Sequence, residues 1–307
     1  MYIMPLKTEL HCHNIFSNGH VGALEPIHDC NVTIPMQLEQ AHLAGLDVLF
    51  VTNHNTIDGY RQIFEYKKNH QKFDTLSVYP AEEVTTDNES HVLVYGIDHS
   101  IKSGLSLHEV LDEAKKQDAV TIAPHPFSLM DALREDSTYC DLFEVFNSSN
   151  VDVYSNLRAK KFAKEKSLHV VAGSDSHVQS TIGRSTNLIY SENKLDSVIA
   201  AMKHRKITIE NTGYVQPKEA LEHIRYKIQN SAFFIDKYTA QFYPRALGPI
   251  KLLYKLYMIN PEGIFWNMFY RMSIIALRRI SKKINFGGYD HRLFRERDLG
   301  TIAKMVF

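Results

Sequence analysis

LSVYPAEEVTTDNESHVLVYGI (residues 76–97) decides how this chain folds. Two runs of strand-forming residues, LSVYPAEEV and HVLVYGI, are separated only by TTDNES. That interval is too short for a helical crossover and rich in turn formers, so the two runs should pair as an antiparallel hairpin. Such a hairpin puts Glu83, near the end of its rising strand, and His91, at the start of its falling one, on one rim.

Outward from the hairpin the pattern changes. Further β-rich runs are LKTEL at the N-terminus, DVLFVT (47–52), AVTIAP (119–124), DLFEVF (141–146) and LHVVAG (168–173). Between most of them lie helix-like segments: PMQLEQAHLAGL, TIDGYRQIFEYKKNH, LSLHEVLDEAKKQ with Ser106 as N-cap, and VDVYSNLRAKKFAKEK. Strands alternating with helices give βαβ units and parallel pairing. Seven such runs predict an α/β fold, a distorted (β/α)7 TIM-like barrel, rather than a short open sheet.

Imidazoles and carboxylates gather at the carboxyl ends of these strands. His11 and His13 follow the first, two residues apart and so facing one side, with Cys12 turned the other way. His54 follows the second strand in VTNHNT, and Glu83 and His91 flank the hairpin turn. His125 follows the fifth in APHP, and Asp175 and His177 follow the seventh in GSDSH. Barrel enzymes build their sites on that rim. Eight N/O donors are too many for one zinc, and a structural zinc site would use cysteines that are not in position here. Two or three divalent cations, manganese, iron or zinc, suit such a set, with Glu83 placed to bridge two of them. His42, His70 and His204 lie outside this pattern and read as ordinary surface or core residues.

In this order, HCH with NG shortly after, VTNHNT, PAEEVTT with the following His, APHP and GSDSH resemble the metal motifs of the PHP (polymerase and histidinol phosphatase) family of phosphoesterases. The resemblance covers residues 6–212 and implies a distorted seven-stranded barrel whose mouth commonly holds three metals. Carried over, it implies a first metal on His11, His13, Glu83 and Asp175, and a second bridged by Glu83 and held by His91 and His125. It implies a third metal on His54 and His177. Two positions depart from the family pattern: Asn18 stands where the family usually has Asp, and Asn53-His54 where it usually has Asp-His. An amide donates less charge to a cation than a carboxylate, which weakens the third site, and His20 is placed to substitute.

Two cations sharing a water lower its pKa toward neutrality and clamp phosphoryl oxygens, so hydrolysis of a phosphate ester is the reaction expected. Within the catalytic set of His11, His13, Glu83 and Asp175, Arg184 in STIGRS is the expected phosphate clamp. Arg134 and Arg158 read as surface residues. The expected substrate is a phosphorylated small molecule, nucleotide or oligonucleotide. A C–N hydrolase of the amidohydrolase kind and a metal-binding scaffold without catalysis are the alternatives. The loop segment GHVGALEPIHDCN (19–31) reads either as a lid or as a surface insertion.

Composition bounds the rest. The chain has 307 residues, 44% of them apolar and 23% charged, enough to bury a large core. Three widely spaced cysteines and an N-terminus, MYIMPLKTEL, without a secretory pattern point to the cytoplasm. The formal net charge of zero conceals a division: residues 214–307 hold 16 Lys and Arg against 7 Asp and Glu, leaving 19 against 28 in residues 1–213. Residues 1–212 are therefore read as the metal-dependent domain and 213–307 as a basic, aromatic helical extension. That extension suits packing on the barrel or in an oligomer, contact with an anionic membrane, or contact with nucleic acid. No apolar run in it reaches the length of a bilayer span.

Overall fold

The computed structural model describes residues 4–22, 25–295 and 299–306; residues 23 and 24 of the 19–31 loop lie outside them. Nine strands form one sheet in the order β7-β6-β5-β4-β3-β2-β1-β8-β9. They are β1 (Leu6–Glu9), β2 (Val48–Val51), β3 (Ser77–Thr85), β4 (His91–Tyr95), β5 (Val120–Ala123), β6 (Leu142–Asn147), β7 (Val170–Gly173), β8 (Thr186–Ile189) and β9 (Ile207–Asn211). The expected hairpin is present, with Thr85 opposite His91 and Glu83 opposite Leu93. β4 also runs antiparallel to β5, whereas β1-β2-β3 and β5-β6-β7 are parallel.

The sheet curls into a nearly closed barrel. At the mouth, Cys12 and Ser176 form a parallel bridge, and Asp175 donates its backbone N–H to the His11 carbonyl at 2.7 Å. Lower down, β8 pairs antiparallel with β1, so the first and last parallel strands diverge there. The Asn187 side chain spans that gap, donating to the Ala172 carbonyl (2.7 Å) and accepting from the Ala172 N–H (3.0 Å). β8 and β9 are the two strands not expected from the sequence.

Eleven described helices surround the sheet: α1 (Ile34–Leu43), α2 (Asp58–Lys67), α3 (Leu107–Lys116), α4 (Tyr154–Lys166), α5 (Leu195–Lys203), α6 (Pro217–Asn230), α7 (Ala232–Phe242), α8 (Leu247–Ile259), α9 (Ile264–Phe286), α10 (Arg292–Arg295) and α11 (Leu299–Val306). Local chemistry sets several ends. Thr33 caps α1 and Pro35 occupies its first turn, while Ser106 and Glu109 complete a capping box on α3. Strand alternation divides the core. Val48, Phe50, Leu93, Tyr95 and Ile122 fill the barrel with residues of α5, whereas Leu49 and Val51 pack outward on Leu38, Ala41 and Ile63 of α1 and α2. Cys12 joins that outer layer, its thiol donating to the Phe50 carbonyl at 3.3 Å.

Candidate metal centre

Glu83 is the hub of the barrel mouth. Its Oε1 lies 2.9 Å from His91 Nδ1 and 3.0 Å from His125 Nε2. Its Oε2 lies 3.3 Å from His13 Nε2, 3.4 Å from His11 Nε2 and 3.5 Å from His54 Nδ1. Asp175 Oδ1 faces His11, His13 and His177 at 3.4–3.6 Å. All eight donors predicted from the sequence therefore converge on one rim.

The arrangement fits divalent cations on two observations. His13 Nε2, His54 Nδ1, both ring nitrogens of His91, His125 Nδ1 and Asp29 Oδ2 are buried without a well-aligned hydrogen-bond partner. Yet these atoms, or the carboxylates facing them, sit at the separation of two donors that share one cation, about 3.0–3.4 Å for bonds of about 2.1 Å. The donor atoms fall into overlapping groups: His11–His13–Glu83, His11–His125–Asp175, His54–Glu83–His91, His91–His125–Asp131 and His13–Asp29–His54–His177. Burial opposes a charge on Glu83, but His91, His11 and His54 overcome it and hold the carboxyl well below its usual range. Against the same burial, Glu83 raises His91 to about 10, and Asp131 with Glu83 raises His125 to about 9. So dense a set of carboxylates calls for compensating positive charge, which cations supply in place of protons.

Two of the candidate ligands sit on strained backbone. His125 and Asp175 have φ of 28° and 50°, a region costly for residues with a Cβ. Each is held there by a directed bond: His125 N–H to Glu144 Oε2 at 2.6 Å, and Asp175 N–H to the His11 carbonyl. Glu144 also lies 3.0 Å from His11 Nδ1, which leaves His11 Nε2 free to face Glu83. A Cβ on Gly173 would come within 1.9 Å of Glu144 Oε1, so glycine is required for that approach. His13 is oriented in turn by Ser17, 3.1 Å from its Nδ1, whose hydroxyl donates to Asn53 Oδ1.

Several expectations are corrected here. Asn18 does not reach the cluster. Its Oδ1 accepts from the backbone N–H groups of Asp29 (2.7 Å) and Cys30 (3.0 Å), and its Nδ2 donates to the Cys30 carbonyl and the Tyr226 hydroxyl. The acid is supplied instead by Asp29, whose Oδ2 lies 3.0 Å from His177 Nε2 and 3.6 Å from His54 Nε2. His20 is exposed and takes no part. The described part of the 19–31 loop thus carries a ligand-type side chain into the site, and Glu25 faces His91 at 3.9 Å.

Arg184, expected as a phosphate clamp, is paired with Glu219 and donates to the Ser180 carbonyl. Arg134 is buried and donates to Asn285, while Arg158 lies over the Phe127 ring. A cation does reach the cluster: Lys227 of α6 lies 2.9 Å from Asp29 Oδ1. On the same helix, His223 stacks on His177 with ring centroids 4.6 Å apart and approaches the Asp29 carbonyl at 2.8 Å. Sequence reasoning missed Asp29, Asp131, Glu144, Lys227 and His223. Only Glu144 carried a signal, an acid in the apolar run DLFEVF on the same side as the inward-facing Leu142.

Comparison with known proteins accords with this geometry. A family model described as PHP-associated matches residues 153–207. The uncharacterised protein MJ1587 of Methanocaldococcus jannaschii is 32% identical over 166 residues, 52% of this chain and 93% of that one. The stretch that the family model matches, from the start of α4 to the start of β9, is thus similar to PHP-associated segments. Among solved structures, PsfC from Pseudomonas syringae PB-5123 superposes with a TM-score of 0.51 at 18% identity, covering 74% of this chain and 99% of that one. The lesion-specific endonuclease PfuEndoQ from Pyrococcus furiosus gives 0.51 at 17% identity, covering 67% of this chain and 58% of the endonuclease. Both likenesses are of the fold.

Proposed function

We propose that this chain hydrolyses the terminal phosphate of a phosphomonoester, nucleotide or short oligonucleotide, using two or three divalent cations at the barrel mouth. The observation that carries the reading is the Glu83 carboxylate, with two imidazoles against one oxygen and three against the other. Bound there, such cations acidify a water and clamp phosphoryl oxygens. His11, His13 and Asp175 are assigned to the first position, and Glu83, His91 and His125 to the second, with Asp131 beside them. His54, His177 and Asp29 are assigned to the third.

The chain's own groups set the rest of the chemistry. Glu144 fixes the His11 ring, Ser17 and Asn53 fix His13, and a substrate phosphate enters beside Asp175 and His177, the more open ligands at 14% and 12% side-chain exposure. Lys227 adds a positive charge on that side. α6 and the Asp29 loop flank this entrance, which favours a chain-end phosphate over an internal phosphodiester. A C–N hydrolase of the amidohydrolase kind fits less well, because the bridging position belongs to Glu83 and Lys227 is engaged by Asp29.

The test is hydrolysis of p-nitrophenyl phosphate and a panel of phosphorylated metabolites and 5′-phosphorylated oligonucleotides. Glu83→Gln should lower turnover by at least about a thousandfold, the scale of losing an essential electrostatic group, and should reduce bound metal. Activity unchanged in Glu83→Gln and His125→Ala would sink the proposal.

A further inference from the structure

The metal cluster leaves one large surface unexplained, on the helices beyond α6. α9 is divided along its length. Its C-terminal half is docked on the barrel: Ser281 donates to Asp152 at 2.6 Å, Asn285 accepts from Arg134, and Ile280 and Ile284 are buried. Its N-terminal half carries Ile264, Phe265, Met268, Phe269, Met272 and Ile275, all more than half exposed. Their spacing lines one side of the helix over three turns. Leu252, Leu256 and Ile259 of α8 add a second stripe, and the two meet at the connecting turn, where Ile259 and Ile264 are 79% and 80% exposed. Between α6, α8 and α9 runs an apolar groove of about 310 Å³. Contiguous exposed apolar surface of this extent marks an interaction site.

Charge identifies the occupant. Residues 231–289 hold nine Lys and Arg against two acids, and both acids are paired, Asp236 with Lys251 and Glu262 with Arg225. Lys255 stands one turn from both Leu252 and Ile259, and Arg271 one turn from both Met268 and Ile275. Among the described residues neither cation has a carboxylate partner. Apolar residues thus occupy the middle of the face and free cations its flanks. No described helix is long and apolar enough to cross a membrane.

We propose that the α8–α9 hairpin docks on an anionic lipid bilayer, lying in the headgroup layer with its apolar stripes toward the acyl chains and Lys255 and Arg271 at the lipid phosphates. A second copy of the chain is a poorer occupant, because a two-fold contact brings this basic face against itself. Nucleic acid is poorer still, because seven of the nine exposed stripe residues are Ile, Leu or Met, which offer no ring to a base, and only Phe265 and Phe269 could stack.

The experiment is co-sedimentation of the full chain with vesicles of phosphatidylcholine alone and of phosphatidylcholine mixed with phosphatidylglycerol. Binding is expected to the mixed vesicles only, and to fall as salt is raised. Ile259→Asp/Ile264→Asp and Lys255→Glu/Arg271→Glu should each weaken it at least tenfold, with circular dichroism and thermal unfolding unchanged. Equal binding to both vesicles, binding to neither, or folded variants that bind like the parent would overturn the proposal. So would light scattering that shows a dimer dissolved by the isoleucine variant, or binding to an oligonucleotide without binding to vesicles. The vesicle assay needs no hydrolysis, so its result stands apart from the phosphoesterase reading.

Discussion

Asn18 and Asp29 exchange the roles that the family pattern leads one to expect. The amide braces the loop through two backbone N–H groups, and the acid eleven residues later faces His54 and His177. Asp29→Asn should therefore lose about one equivalent of bound metal, measured by elemental analysis of the purified protein. Unchanged metal content would remove Asp29 from the ligand set. The second substitution Lys227→Met, combined with Asp29→Asn, avoids a half-buried unpaired cation and separates metal loss from misfolding. The eight predicted donors were legible because each sits within four residues of a strand end, where spacing largely fixes its direction. Asp29 was not, since it reaches the cluster through an irregular loop whose path no periodicity encodes. Glu82, beside the hub, illustrates the opposite face of β3. Burial pushes its carboxyl up to about 7, against hydrogen bonds from Ile101 N–H and the Ser100 hydroxyl. Its neutral form is favoured on folding, so its contribution is full below about pH 4.5 and is lost as pH rises through 7, with a slope of up to about 1.4 kcal/mol per pH unit. Glu82→Gln should flatten stability between pH 5 and 7, read from denaturant midpoints.

At the scale of elements, the seam between β7 and β8 is bridged by the Asn187 side chain, with the Ser174 hydroxyl bonded to the Ser185 backbone at its mouth end. Asn187→Ala leaves the Ala172 N–H and C=O without their partner, which costs roughly 2 kcal/mol; chemical denaturation should show a loss of that size with hydrolysis retained. A shift below a few tenths of a kcal/mol would mean the seam holds without Asn187. The β3–β4 hairpin and the α3 capping box were legible because turn length and capping chemistry are local. β8 and β9 were not: TNLI and ITIEN are short and half polar, and what makes them strands is the free edge of β1, a tertiary feature. Residues 213–307 were legible as helical and basic but not as part of the mouth, because His223 and Lys227 look like ordinary solvated residues until α6 is laid against the Asp29 loop.

For the whole molecule, the division of charge acquires a place. The acidic excess of residues 1–213 includes the carboxylates gathered at the barrel mouth, and the basic excess of residues 214–307 includes the flanks of the α8–α9 face. Cations that bind the folded mouth stabilise it by mass action, roughly 2.7 kcal/mol for each site held at a hundred times its dissociation constant. Chelation should accordingly lower Tm by several degrees, and adding back manganese, iron or zinc should restore it; a Tm indifferent to both would argue against cation binding at the mouth.

The bridge between Cys12 and Ser176 has a consequence for synthesis. It joins segments more than 160 residues apart, so His11 and His13 leave the ribosome long before Asp175 and His177 exist to face them. Lys227 follows later still. During translation the first two candidate ligands stand at the end of a single strand, and all eight come together only when the last parallel strand docks against the first. The candidate cation positions that use Asp175 or His177 therefore wait for completion of the barrel, whereas the His54–Glu83–His91 group needs only β2 to β4.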